Sequence, residues 1–310
     1  MTTFQWFASL VLAATIVPPL AAEAHCPGNV ASVPFRFVDR HRIVLAVSIN
    51  HSGPYNFLLD SGTQITMIEP SLAAELHLDI QGAAVVAGVG SSQSASYAQL
   101  DLVEAGSHAA ANQKVLVYEV QNLHSPDLHI QGILGEDFLE QFDLLIDNAH
   151  RLLCLDDSGA MRADVKGPHI ALLATAEPEA GVALPGLLII TVRLSGGLRP
   201  VRLVLDSGAN EPILFNTSQY MAFNRSQYMQ PSQRVALRGS GVDGAQRIFS
   251  ALSPQDVKIG SLELPRVSFF SLAGTQKDSR VKGFDGLLPT GLFRHVFIDH
   301  ADHFAVLEPR

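Results

Sequence analysis

Two triplets in this chain could do acid–base chemistry as a pair. Asp60-Ser61-Gly62 and Asp206-Ser207-Gly208 each close an apolar run, 55–59 in the first case and 201–205 in the second. A lone Asp-Ser-Gly is ordinary turn chemistry, with the Asp accepting local backbone N–H groups and the Gly taking positive φ. Two in matched settings point instead to carboxylates that meet. Such a pair shares one proton, because both members cannot ionise cheaply at close range. The ionised member can take a proton from water while the protonated one donates to the carbonyl under attack. This chemistry requires neither a metal nor a cofactor, and none is expected.

The elements that must position the triplets recur along the chain. Residues 43–49 are apolar, 50–54 hold a Gly-Pro turn, and 55–62 return as a second run ending in the first triplet. Residues 188–194, 195–200 and 201–208 repeat that order. This is the pattern of β-hairpins. Farther on, Gly132-Ile133-Leu134-Gly135 leads to Phe138-Leu139 and then to 145–150, while Gly286-Leu287-Leu288-Pro289 leads to Leu292-Phe293 and then to 297–302. Two Gly-rich segments, 87–92 with Gly88 and Gly90, and 238–244 with Gly239 and Gly241, follow their respective Asp at similar distances. Each is either a hairpin tip that closes over a bound chain or a plain β-turn. Pro70 opens a short helical patch after the first triplet.

The expected organisation is a segment 1–24, a first lobe 30–157, a connection 158–184 and a second lobe 185–310. His169-Ile170-Ala171-Leu172-Leu173 can add a strand within the connection. Short strands and Gly-rich turns make both lobes all-β. Each copy supplies half a site, so a monomer is expected. Segment 1–24 reads as a cleaved secretory signal, with an apolar stretch before Ala22-Glu23-Ala24 and cleavage after Ala24, although its start carries no Lys or Arg. A short buried helix or an anchor is the alternative, but Pro18-Pro19 would break it. No membrane span is expected after cleavage, and the mature chain is expected to be secreted or periplasmic. Cys26 and Cys154 are then either paired or, for Cys154, a buried strand thiol.

With 310 residues, 47% hydrophobic and 16% charged, the chain has ample material for two cores. A net charge of −9 and the lack of a basic stripe argue against a nucleic-acid partner. No Gly-x-Ser-x-Gly elbow or zincin helix motif occurs. His295, His300 and His303 with Asp299 and Asp302 look like metal ligands, but they align with the turn at 147–151 of the first copy and read as a turn.

On Leu58-Leu59-Asp60-Ser61-Gly62-Thr63, Val204-Leu205-Asp206-Ser207-Gly208-Ala209, Ile133-Leu134-Gly135 and Leu287-Leu288, the sequence resembles aspartic peptidases. The closest type is the bacterial retropepsin-like kind with two lobes in one chain, and the likeness spans about residues 35–308. It implies two homologous acid-protease-type β-barrel lobes with a cleft between them, and a peptide or protein substrate. It also implies Asp60 and Asp206 as the catalytic pair, Ser61 and Ser207 as hydroxyls locking the loops, and Gly62 and Gly208 as turn glycines. Ile133, Leu134, Gly135, Leu287 and Leu288 would support the loops from beneath. The second copy departs from the pattern at Pro289-Thr290, where the first has Gly135-Glu136, and at Ala209, where the first has Thr63. The implied function is an exported aspartic endopeptidase. The rivals are an inactive peptide- or glycan-binding protein of the same fold and a structural envelope protein.

Overall fold

The computed structural model describes residues 25–88, 91–120, 123, 128–175, 186–197, 199–215, 231–240, 246–272 and 283–310. Segment 1–24, read above as a signal, lies outside the described residues.

A hairpin begins the first lobe. Strands Arg42–Ile49 and Ser52–Leu59 pair antiparallel, with Ile43 opposite Leu59 and Leu45 opposite Phe57. Asn50 and His51 turn the chain at φ of 48° and 65°, the left-handed pair that a two-residue hairpin loop needs. The Asn50 side chain fixes that turn by accepting the N–H groups of Asp101 and Leu102. Toward the Asp end the alternation stops, and Phe57, Leu58 and Leu59 are all buried. Such a run suits a strand covered on both faces. Its neighbour there is Gly132–Leu134, which runs parallel to it with Leu58 opposite Ile133 and Leu59 opposite Leu134.

The second lobe uses the same devices. Leu187–Leu194 pairs antiparallel with Val201–Asp206, and Gly286–Pro289 runs parallel to the latter, placing Leu205 opposite Leu288 and Asp206 opposite Pro289. In each lobe a two-residue strand crosses antiparallel behind the parallel one: Met67–Ile68 against Gly132–Leu134, and Ile213–Leu214 against Gly286–Pro289. Both Gly-rich segments form hairpins. Gln81–Gly88 pairs with Ser91–Ala105, placing Gly88 opposite Ser91, and Pro231–Ser240 pairs with Gln246–Leu252, placing Gly239 opposite Arg247. Gly90 and Gly241 lie outside the described residues.

The lobes are joined by a continuous antiparallel sheet. Its order is Ile170–Ala171, Phe304–Pro309, Phe293–Asp299, Asp143–Asp147, Leu152–Asp156 and Ser32–Val38. The seam is the pairing of Phe293–Asp299 with Asp143–Asp147, where Val296 faces Ile146 and Ile298 faces Leu144. All four side chains are buried, so burial of apolar area at the seam adds about 1.5–3 kcal/mol for each. The connection contributes structure as well. Ala160–Asp164 is a short helix, Ile170–Ala171 joins the shared sheet, and Leu173–Thr175 pairs with Leu187–Leu194. Arg162 on that helix pins the seam by pairing with Asp143, Asp299 and Asp302.

Cys26 and Cys154 form a disulfide of 2.03 Å, with Cα atoms 5.7 Å apart. It ties the start of the described chain to the shared sheet, and both residues are buried with Leu145, Met161 and Phe297.

Candidate active site

The two Asp-Ser-Gly loops face one another at the interface of the lobes, and their serines cross. Ser61 Oγ donates to the carbonyl of Leu205 at 2.8 Å and accepts the backbone N–H of Ser207 at 3.0 Å. Ser207 Oγ donates to the carbonyl of Leu59 at 2.9 Å and accepts the N–H of Ser61 at 3.0 Å. Each serine therefore bonds to the carbonyl that precedes the opposite Asp. Both serines are 1% exposed, so these bonds are shielded from competing water.

Glycine follows each serine for a steric reason. A Cβ on Gly62 would lie 2.7 Å from Asp206 Cγ, and one on Gly208 would lie 2.5 Å from Asp60 Cγ. Each carboxyl thus rests against the bare Cα of the opposite loop, in the place a larger residue would fill. Each carboxyl feels the other, since the Asp60 charge raises the proton affinity of Asp206.

The two carboxyls differ in their donors. Asp60 Oδ1 accepts the Gly62 N–H and its Oδ2 accepts the Thr63 hydroxyl, both at 2.8 Å. Asp206 Oδ1 takes the N–H groups of Gly208 and Ala209, at 2.8 and 2.9 Å. Burial pushes the Asp60 carboxyl above the usual range, against the pull of Thr63, Gly62, Asp206 and the Arg42 charge. Burial and then the Asp60 charge push Asp206 well above it, opposed by two backbone donors. Two acids sharing one site, for which aspartic proteases are the standard example, split in this way. The Thr63 hydroxyl favours the ionised form of Asp60, whereas the Asp60 charge favours the protonated form of Asp206.

The supporting residues lie where the parallel strands meet the loops. Ile133, Leu134 and Leu288 are fully buried and Leu287 is half-buried. Leu134 accepts the Asp60 N–H at 3.0 Å. Gly135 donates its N–H to the Thr66 hydroxyl, and Glu136 donates its own to the Thr63 carbonyl. The Pro289 departure has a visible consequence. Proline has no N–H to give, and the Thr290 hydroxyl that follows is buried without a partner among the described residues. The Thr290 carbonyl is instead held by the Asn148 side chain across the seam.

Several contributors carry no motif in the sequence. Arg42, on the strand beside Asp60, lends its charge to that carboxyl. Asp137 accepts from the N–H and hydroxyl of Thr66 and so braces the same loop, and burial lifts its own carboxyl to about 6. The tip at 39–41 reaches the second loop, where His41 N–H bonds Asn210 and Arg40 pairs with Glu211. The acidic and histidine residues near the end of the chain disperse to separate duties. His300 goes to Glu136 and the Phe142 carbonyl, while Asp299 goes to Arg162. A different trio, Asp147, His150 and His295, does converge. There Asp147 already accepts from the N–H groups of Ala149 and His150 and contacts both imidazoles, which makes it a turn clamp.

Residues 45–138 match the family model described as aspartyl protease. This match supports an aspartic peptidase of the retropepsin-like kind. The matched stretch contains Asp60, the strand Gly132–Leu134 and Gly135, and it ends before the second lobe. No curated protein matches the chain. The family gives a protease-type function, with a peptide or protein as the substrate class. Among the described residues no helix is long and apolar enough to cross a membrane.

Proposed function

We propose that this chain is an exported aspartic endopeptidase that hydrolyses peptide bonds with a water molecule held between Asp60 and Asp206. The single observation that carries the reading is the crossed-serine interface, which sets two enclosed carboxyls with unequal donors against one another. Asp60, ionised, takes a proton from the water, whose oxygen attacks the scissile carbonyl carbon. Asp206 donates its proton to the carbonyl oxygen. Asp60 then gives its proton to the amine nitrogen as the C–N bond breaks, and Asp206 takes back a proton from a hydroxyl of the tetrahedral intermediate, so the pair is again singly protonated. With Oδ1 of Asp206 taken by two backbone donors, Oδ2 is the place for the proton.

In this reading the lobes 30–157 and 185–310, joined by 158–184, descend from one duplicated unit and act as a monomer. Segment 1–24 is removed on export. The two hairpins that carry Gly88 and Gly239 close over the substrate backbone. The repeated pairing of Asp strand, parallel support strand and crossing strand supports the duplication.

The test is an assay of the mature chain on a mixed peptide library from acidic to neutral pH, with Asp60→Asn and Asp206→Asn made separately. Both variants should keep the fold and lose turnover. The rate should fall on the acid side as Asp60 gains a proton and on the basic side as Asp206 loses one. A wild type that binds peptides and never cleaves them would move the chain to the binding-protein reading.

A further inference from the structure

Behind Asp60 lies a third carboxyl that the hydrolytic scheme does not use. Glu136 opens the short helix Glu136–Leu139 and is 0% exposed, and its Oε1 has no partner among the described residues. A carboxylate enclosed in this way needs a charged or donating neighbour. That neighbour arrives from the other lobe. His300 Nε2 lies 3.2 Å from Glu136 Oε2, and His300 Nδ1 lies 2.6 Å from the carbonyl oxygen of Phe142. A carbonyl can only accept, so Nδ1 carries a hydrogen. A neutral ring would then aim a bare Nε2 lone pair at Glu136. The contact is therefore satisfied only when one further proton lies between Nε2 and Oε2.

Glu136 is also two hydrogen bonds from the reacting pair, with Thr63 between them. Its backbone N–H holds the Thr63 carbonyl at 2.9 Å, and the Thr63 hydroxyl holds Asp60 Oδ2 at 2.8 Å. The path runs from the second lobe through His300, Glu136 and Thr63 to Asp60. We propose that Glu136 and His300 are positioning residues which share one proton across the lobe interface and thereby keep the Thr63 hydroxyl on Asp60.

The surrounding charges favour retention of that proton. Glu140 and Asp60 face Glu136, Asp143 faces His300, and Arg162 and Arg42 offset Asp143 and Asp60 respectively. Burial pushes the Glu136 carboxyl up. For His300, burial pulls the imidazole down, but the hydrogen bond and charge of Glu136 outweigh it and leave it raised. The raised imidazole extends toward higher pH the range in which the pair keeps that proton.

The inference rests on the reading of Asp60 as the ionised member of a catalytic pair, and its test separates the two. Three variants are needed: Glu136→Gln, His300→Gln and His300→Leu. The readouts are kcat and KM across pH, thermal unfolding, and titration of the Asp60 carboxyl by 13C NMR, assigned with Asp60→Asn. Glu136→Gln removes the shared proton's carboxylate with no change in the net charge of the pair, so the Thr63 hydroxyl should leave Asp60 and the Asp60 titration and the acid limb of kcat/KM should both move up by roughly half a pH unit or more. KM at the optimum should change less than about twofold, since neither side chain touches substrate. His300→Leu strands the buried carboxyl and should cut kcat at least about tenfold, while the amide of His300→Gln can donate to Glu136 and should restore most of it. An Asp60 titration unmoved by Glu136→Gln overturns the proposal. So does a loss in all three variants that merely tracks the unfolded fraction. If the wild type cleaves nothing, the peptidase reading falls, and the 13C titration still decides whether the pair acts on Asp60.

Discussion

Replacing Ser207 by alanine removes one hydroxyl and strands two buried groups. The Leu59 carbonyl loses its donor at 2.9 Å and the Ser61 N–H loses its acceptor at 3.0 Å. No water can reach either group, since both serines are 1% exposed and Leu59 is 0% exposed. Each stranded group costs about 1–3 kcal/mol, so the variant should lose about 2–6 kcal/mol, a large part of the roughly 5–15 kcal/mol that holds a protein folded. At roughly 2 °C per kcal/mol for a chain of this size, the melting temperature should fall by about 4–12 °C. The assay is differential scanning calorimetry of wild type, Ser207→Ala, Ser61→Ala and the double variant. Because all four bonds belong to one crossing, the double variant should lose less than the sum of the single losses. Thr290→Val is the control. That hydroxyl is as deeply buried but unpartnered among the described residues, so its removal at constant shape should be neutral or mildly stabilising. Peptide hydrolysis by Ser207→Ala should drop about a hundredfold as the loops lose registration. A melting temperature within a degree of wild type, or equal losses in Ser207→Ala and Thr290→Val, would refute the reasoning.

Gly208→Ala should abolish hydrolysis, because the added methyl would sit 2.5 Å from Asp60 Cγ; a crystal structure should show the loops forced apart, and an unchanged kcat would contradict the close approach. Asp137 has its carboxyl raised to about 6 by burial. The stability linked to its proton is fully present below the unfolded carboxylate value and is lost as pH rises through about 6. Urea titrations of Asp137→Asn should therefore show it gaining on wild type by about 3 kcal/mol between pH 3 and pH 7, and a flat difference would exclude the effect. Reducing the Cys26–Cys154 bridge opens a link across a sequence separation of 128, so stability should fall by up to about 5 kcal/mol on the chain-entropy view. Calorimetry with and without reductant measures this, and an unchanged transition would show that the bridge adds nothing.

The carboxyl pair was legible because its information is local and repeated. An Asp-Ser-Gly at the end of an apolar run specifies a loop by itself, and a second copy supplies its counterpart. The Thr63–Ala209 difference was legible too, since a hydroxyl three residues from a carboxyl can reach it. Glu136 and His300 were not. They stand 164 positions apart, on segments whose composition is ordinary, and only the seam between Asp143–Asp147 and Phe293–Asp299 carries one to the other. The sequence shows those two strands as repeats of each other, and hydrophobic periodicity cannot reveal that they also become neighbours. The connection posed a similar problem. Its Gly-Pro content reads as linker, yet Ile170–Ala171 and Leu173–Thr175 find edges to pair with, a matter of exposed backbone groups rather than of side-chain pattern.

The strand beneath Asp206 and the strand that welds the lobes together both come from residues 286–310. While the chain is being made, the first acidic loop can fold early, but the second has no floor until residues 286–289 have been added. The nascent polypeptide therefore carries its two carboxyls in separate pieces. They can meet only after the support strand and the seam strand of the second lobe have been added, a delay set by the order of segments along the chain.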